Sequence, residues 1–215
     1  MCGFVGIHRL DGAPVDARLL RELADVLTHR GPDGAGVWTE DSVGFAHRRL
    51  AIIDPNGSPQ PLSSADGTAH VAFNGEILNY RQLRSALDYP FSTDGDTEVL
   101  LAVHRERGRG GVEELRGQFA YALHDSTTAT TWLVRDRMGI IPLYYAATPD
   151  FVAFASEAKA LLPLLPGGAR VDLDALDAYL AQRAVPAPHT LFEGIRKLPP
   201  GHTAQIGPRG ISEVR

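Results

Sequence analysis

The chain reads as an α+β protein built in layers, with two antiparallel sheets flanked by helices, and three observations predict this. Strand-like and helix-like segments occur in groups rather than in strict alternation. Between residues 118 and 155 several short strands follow one another at hairpin spacing, which implies antiparallel pairing. The 215 residues are 44% hydrophobic with no low-complexity stretch, enough for one good core.

Taken in order, residues 2–9 form an apolar, partly β-branched run spaced by Gly3 and Gly6, a buried strand that begins at Cys2. Asp16 is a candidate N-cap for a helix whose apolar positions Leu19, Leu20, Leu23, Val26 and Leu27 recur at helical spacing until Gly31-Pro32 ends it. Val43 to Asp54 predicts a strand, although the basic trio His47-Arg48-Arg49 sits inside it. His70 to Phe73 predicts a short strand that ends at Asn74-Gly75. Asn-Gly usually marks a hairpin turn, but Tyr80, Leu83 and Leu87 follow at helical spacing with Asn79 as a cap, so this reads as a strand-to-helix turn.

A third helix pattern runs from Asp96 or Thr97 through Val99, Leu100 and Val103 to Gly108. Gln118 to Asp125 alternates, with Phe119, Tyr121 and Leu123 on one face, and further strands are predicted at Thr131–Arg135, Leu143–Ala146 and Phe151–Ala155. Ser156 to Leu162, with Ser156 as its cap, and Asp172 to Gln182 read as helices. From Val185 onward the chain is rich in proline and glycine without periodicity, so residues 2–184 read as the domain and 185–215 as an extension.

Composition excludes several function classes. A net charge of −5 without a run of lysine or arginine argues against a nucleic-acid surface. No apolar run is long enough for a membrane span or a signal peptide, and a single cysteine makes no intramolecular disulfide, so a cytoplasmic protein is expected. The histidines are scattered, no thiolate zinc cluster is possible, and no phosphate-binding loop or dinucleotide fingerprint occurs. Ser156-Glu157-Ala158-Lys159 matches the Ser-x-x-Lys pattern of serine acyl enzymes but lacks the companion motifs downstream.

The chemistry concentrates at Cys2. A lone cysteine is ordinarily a small buried hydrophobe, but this one directly follows Met1 and opens a buried strand, where termini usually fray. Removal of Met1 would leave a thiol and an α-amine on one residue. Because an α-amine has a pKa of about 7.7–8.0, it can serve as the base for that thiol near neutral pH. Arg49 inside a buried strand needs a partner, and a structural ion pair with Asp54 or Asp33 is the ordinary explanation. Asn74-Gly75 is on its face a turn dipeptide, and Asp96 a helix cap.

Met1-Cys2-Gly3 with Val5-Gly6, His29-Arg30-Gly31-Pro32-Asp33-Gly34, Arg49-Leu50-Ala51-Ile52-Ile53-Asp54 and Asn74-Gly75-Glu76-Ile77-Leu78-Asn79 share one order with later segments. Those later segments are Asp96-Thr97-Glu98-Val99, Gly117 to Ala122, Arg135 to Tyr145, Ser156 to Leu161 and Leu198 to His202. Together they resemble the glutamine-hydrolysing domain of asparagine synthetases, a class II glutamine amidotransferase with the N-terminal-nucleophile hydrolase fold. The resemblance covers roughly residues 2–207.

It implies a four-layer αββα sandwich and hydrolysis of L-glutamine to glutamate and ammonia through a Cys2 thioester. On the matching positions, Cys2 is the nucleophile, and the Asn74 side chain with the Gly75 N–H is the oxyanion site. Arg49 binds the substrate carboxylate, Asp96 its ammonium, and Leu50, Ile52, Ile53 and Glu76 form further pocket wall, with Arg30 shaping the pocket near the thiol. No cofactor is implied for this chain. ATP and magnesium are expected only in a synthetase partner whose Ser-Gly-Gly-x-Asp-Ser loop does not occur here, and residues 185–215 resemble the connector to it. Leu78 stands where the family commonly has tyrosine, with only local repacking expected. The alternatives are a catalytically silent or glutamine-sensing scaffold, and an N-terminal-nucleophile hydrolase for another amide, in which Arg49 and Asp96 would have no purpose.

Overall fold

The computed structural model describes residues 1–214. Twelve strands form two six-stranded sheets, and every pairing is antiparallel. In chain order the strands are β1 (Gly3–Arg9), β2 (Gly34–Glu40), β3 (Val43–Arg49), β4 (Leu62–Ser63), β5 (Ala69–Ile77) and β6 (Gly117–Asp125), followed by β7 (Thr130–Arg135), β8 (Tyr144–Ala147), β9 (Phe151–Ala155), β10 (Arg196–Lys197), β11 (Thr203–Gly207) and β12 (Gly210–Val214). The first sheet has the order β10-β8-β9-β1-β3-β2, and the second β12-β11-β7-β6-β5-β4. The helices are α1 (Ala17–Asp25), α2 (Tyr80–Ala86), α3 (Thr97–Arg107) and α4 (Leu173–Gln182).

Strand alternation assigns each side chain to a layer. Phe4 on β1, Phe45 on β3 and Phe154 on β9 face inward, and opposite them the second sheet presents Ala72, Ala120 and Ala122. Large residues on one inner face and small ones on the other let the sheets interlock at interior packing density. Gly6 belongs to this fit, since a Cβ there would stand 2.3 Å from the Phe154 ring. The outer positions Val5, Ile7 and Ala46 pack with Leu20, Leu23, Ala24 and Leu27 around α1. On the other outer face Phe119, Tyr121 and Leu123 of β6 meet Leu83 near α2 and Val99 to Val103 of α3. The layer order is therefore helix, sheet, sheet, helix, as expected.

Several boundaries differ from expectation for identifiable reasons. α1 starts at its Asp16 cap, whose carboxylate accepts from the Arg18 N–H at 2.7 Å, but it stops at Asp25 rather than at Gly31. There the Thr28 hydroxyl takes the Asp25 carbonyl at 2.7 Å, and three-residue turns carry the chain to Gly31. β3 stops at Arg49, five residues short of Asp54, because residues 50–58 leave the sheet as a loop.

Asn74-Gly75 is not a turn. It lies inside β5, which runs to Ile77, with Asn74 opposite Ala120 and Gly75 opposite Phe119. Asn79 occupies the N-cap position of α2 without a capping bond, its amide spanning the Glu114 carbonyl and the Arg116 N–H instead. Ser156 to Leu162 is not an α-helix but short 3-10 turns at Ala158–Ala160 and Leu162–Leu164, where Pro163 removes a donor. Ser156 is fully buried, and its hydroxyl accepts from the Phe4 N–H at 3.0 Å rather than capping. The edge strands β2 and β4 carried no clear signal in sequence. Residues 196–214, within the segment expected as an extension, supply β10, β11 and β12 to the two sheets.

Candidate active site

β1 is central in its sheet, with β3 on one side and β9 on the other, so Cys2 at its start is anchored as a chain terminus rarely is. By alternation Cys2 shares the inward face of Phe4, while Asn74 shares the inward face of Ala72 on the opposite sheet. The two therefore project into the same end of the interlayer space, where a cavity of about 120 Å³ opens. Cys2, Arg49, Leu50, Ile52, Ile53, Asn74, Gly75, Glu76 and Asp96 all line it, joined by Met1, Phe73, Gln60 and Thr97 among others. Arg30 stands behind the wall rather than on it.

The thiol is held by main chain. Its sulfur accepts from the Leu50 N–H at 3.3 Å and lies 3.6 Å from the Leu50 carbonyl, to which it donates. Burial pushes the Cys2 pKa above the usual thiol value, opposed by the Leu50 N–H, the chain's own amino terminus and the Arg49 charge. The resting group is accordingly a thiol, which needs a base before it can attack. Arg30 fixes the backbone beneath it, Nε donating to the Cys2 carbonyl at 2.8 Å and one terminal nitrogen to Glu157 at 2.8 Å. Burial works against ionisation of Glu157, but bonds from Arg30, His29 and Lys159 outweigh it and hold its carboxyl down to about 2.

Asn74 is 1% exposed, and neither its side-chain oxygen nor its nitrogen has a protein partner. A buried primary amide without hydrogen bonds costs about 1–3 kcal/mol per unmet group, so this one is kept for something that enters the cavity. The edge of β5 explains the companion donor. Odd-numbered residues of β5 turn their peptide groups toward β4: Ala69 accepts from Ser64, and Val71 faces Leu62. β4 then ends. Phe73 is met by side chains instead, its N–H donating to Gln60 Oε1 at 2.7 Å and its carbonyl accepting from His47 Nε2 at 2.9 Å, and the Ile77 N–H donates to Asp96 at 3.0 Å. By the same alternation Gly75, between these capped positions, turns its N–H to the cavity. Only glycine suits the site, because its φ is +144° and a Cβ would lie 2.1 Å from the Gln118 carbonyl.

The remaining walls carry opposite charges. Arg49 makes no ion pair with Asp54 or Asp33: its guanidinium donates to the carbonyls of Asp54 and Pro55, each at 2.6 Å, and of Ile53 at 3.3 Å. It thus ties down the 50–58 loop that forms one wall. Asp33 accepts from the Ala51 N–H at 2.9 Å and supports the same loop. The Asp54 carboxylate is engaged by the Ser58 hydroxyl and the Asp94 N–H, both at 3.0 Å. Asp96 does not cap α3. It is 5% exposed, and burial raises its pKa, with the neighbouring Glu76 charge adding to the rise. A cation in the cavity would favour the charged form of Asp96.

Gln60, Thr97 and His47 were not anticipated from sequence. A loop glutamine, a helix-start threonine and an interior histidine each have ordinary structural uses, and no spacing distinguishes these. Among the described residues no group of three histidine, cysteine, aspartate or glutamate side chains is arranged to hold a metal ion, and no helix is long and apolar enough to cross a membrane.

Known proteins resemble this chain in sequence and in fold. The chain is 41% identical over 216 residues to asparagine synthetase [glutamine-hydrolyzing] 1 of Bacillus subtilis, covering 98% of this chain and 34% of that protein. It is 39% identical over 168 residues to asparagine synthetase B [glutamine-hydrolyzing] of Escherichia coli, covering 76% of this chain and 30% of that protein. The chain thus spans about a third of the length of these curated relatives. Among solved structures, the glutamine phosphoribosylpyrophosphate amidotransferase of B. subtilis superposes on the whole chain with a TM-score of 0.70 at 20% identity, and the chain covers 49% of it, a likeness of fold. A family model described as a glutamine amidotransferase domain matches residues 1–215. Matched over its whole length by this family model and about 40% identical to these relatives, this chain belongs to the glutamine amidotransferase domain family.

Proposed function

We propose that the chain hydrolyses L-glutamine to glutamate and ammonia with Cys2 as nucleophile, once Met1 has been removed. The observation that carries this reading is the Asn74 amide, buried and unpartnered at the same cavity as the Cys2 sulfur. The substrate is a zwitterion. Arg49 offers its positive charge and the N–H groups not taken by loop carbonyls for its α-carboxylate, and Asp96 with Glu76 offers negative charge for its α-ammonium, which places the side-chain amide toward Cys2.

The free α-amine of Cys2 takes the thiol proton, and the thiolate attacks the side-chain carbonyl carbon of glutamine. The electron pair moves to the carbonyl oxygen, where the Asn74 Nδ2 and Gly75 N–H groups hold it. Collapse breaks the C–N bond, the nitrogen receives the proton held by the amine, and ammonia leaves. Water then adds to the γ-glutamyl thioester, its proton passing through the amine to the departing sulfur, and glutamate is released. The proton balance closes on Cys2 alone.

The ammonia is proposed to pass to an ATP-dependent synthetase domain or subunit in the cytoplasm, with ATP and magnesium acting there. The names and lengths of the relatives support this extension. A silent scaffold would leave the cost of the unpaired Asn74 amide unexplained.

Glutamate release by wild type and Cys2→Ala tests the proposal. Loss of turnover on the order of 10⁶-fold is expected for removal of a nucleophile, and equal rates would overturn the reading. Intact mass checks the first step, since a retained Met1 keeps the amine in a peptide bond and predicts an inactive chain.

A further inference from the structure

His47 is the one titratable side chain at this end of the interlayer space to which neither substrate nor nucleophile gives a role. It is 0% exposed and faces inward from β3 with Val43 and Phe45. Its Nε2 donates to the Phe73 carbonyl across the gap between the sheets at 2.9 Å. Since a carbonyl only accepts, the proton is on Nε2, and Nδ1 is left as a buried acceptor without a partner.

We propose that His47 is a positioning residue that sets the separation between the nucleophile sheet and the oxyanion sheet. Both ends of its hydrogen bond lie beside a reacting group. On β3 it stands opposite Phe4, three residues before Leu50, whose N–H holds the Cys2 sulfur. On β5 it grips the carbonyl of Phe73, the residue immediately before Asn74. The first sheet carries the thiol, the second carries the amide and the Gly75 N–H, and this bond joins the layers between them.

The choice of residue type supports the assignment. Phe45 and Val43 on the same face show that this layer takes plain hydrophobes, and an aliphatic side chain would leave no orphaned ring nitrogen. Retaining an imidazole with one unmet acceptor costs stability. That cost is accounted for if the Phe73 carbonyl, which lies beyond the end of β4, must be held at a fixed height above the other sheet. The reacting atoms tolerate little error, because a misplacement of about 1 Å costs about 100-fold in rate.

This inference rests on the glutaminase reading, and a pair of variants of similar length separates the two. His47→Met removes the donor, and His47→Gln keeps an N–H near the same place. Glutamate release gives kcat and KM, iodoacetamide alkylation counts intact Cys2 thiols, and thermal unfolding reports packing. For His47→Met the expected result is a kcat about 100-fold lower per alkylatable thiol, with KM for L-glutamine within about threefold of wild type. His47→Gln is expected to recover about tenfold of that loss. A kcat per thiol unchanged in His47→Met, or an equal loss in both variants that follows their melting temperatures, would reduce His47 to core packing and overturn the inference. A wild type that releases no glutamate would remove the glutaminase reading itself, and this inference with it.

Discussion

The two ends of the interlayer space share strands β1 and β5 yet treat polar groups differently. β1 starts at Gly3, next to Cys2, and ends past His8, while β5 starts near His70 and ends past Asn74 and Gly75, so each strand serves both ends. At the end away from the cavity most inward polar groups satisfy one another, His70 Nε2 being left with only the Glu40 carboxylate 3.2 Å away. The Thr131 hydroxyl meets His8 Nδ1 and His124 Nδ1, each at 2.9 Å, His70 Nδ1 meets Ser63 at 2.8 Å, and Trp38 stacks on the His70 ring at 3.9 Å. At the cavity end neither atom of the Asn74 amide nor His47 Nδ1 has a partner. Polar burial alone is therefore not the mark of a site in this fold. The mark is a buried side chain with no partner at either of its polar atoms, as at Asn74.

Three changes sharpen this contrast. The largest effect is expected at the open end, where Asn74→Ala removes the proposed oxyanion donor and should lower kcat about 10²–10³-fold while leaving thermal stability nearly intact, because no protein partner is orphaned. Kinetics on glutamate release with a melting curve would check both halves. A stability loss as large as that of a core mutant would erase the distinction between the ends.

Next comes Arg49→Lys. A point charge replaces a planar fork that also secures the 50–58 loop, so KM for glutamine should rise about tenfold with a smaller change in kcat. A pure kcat effect would move Arg49 away from ground-state binding.

The smallest effect belongs to the closed end. Burial lowers the pKa of His8 and of His70, and with the charges of His8 and His70 it lowers His124 to about 4. The unfolded chain, with histidines near 6.5, then binds more protons than the folded one, so stability falls as pH drops below about 6.5 and levels off below about 4. Between pH 7 and 5.5 the expected loss from His124 is about 1 kcal/mol, or about 2–4 °C in Tm. His124→Gln should remove only its own share of that slope, because burial lowers His47 at the cavity end to about 4 as well. The interval lies above the usual carboxylate range, so acidic groups do not mimic the effect.

Much of this was legible in the sequence, but unevenly. The alternation of Phe119, Tyr121 and Leu123 placed β6, and the apolar run behind Met1 placed β1, because a buried face imposes a two-residue period. The cavity residues from Cys2 to Asp96 were legible through their motifs. What stayed hidden was set by contacts distant in sequence. Asn74-Gly75 signals a turn locally, yet pairing with Ala120 and Phe119 holds it in a strand. Ser156 reads as a helix cap, yet its hydroxyl serves the Phe4 N–H, 152 residues away. His47 looks like part of a basic trio until the second sheet closes over it.

The late strands have a practical implication for anyone subdividing the polypeptide. β10 joins the edge of the layer that carries the thiol, whereas β11 and β12 complete the layer that carries the amide, so one stretch of backbone laces both halves together. Leu198, Ala204 and Ile206 on that lace sit at 0% exposure between the layers. Trimming at residue 184 would unlace the sandwich and bare its apolar interior along β7 and β8.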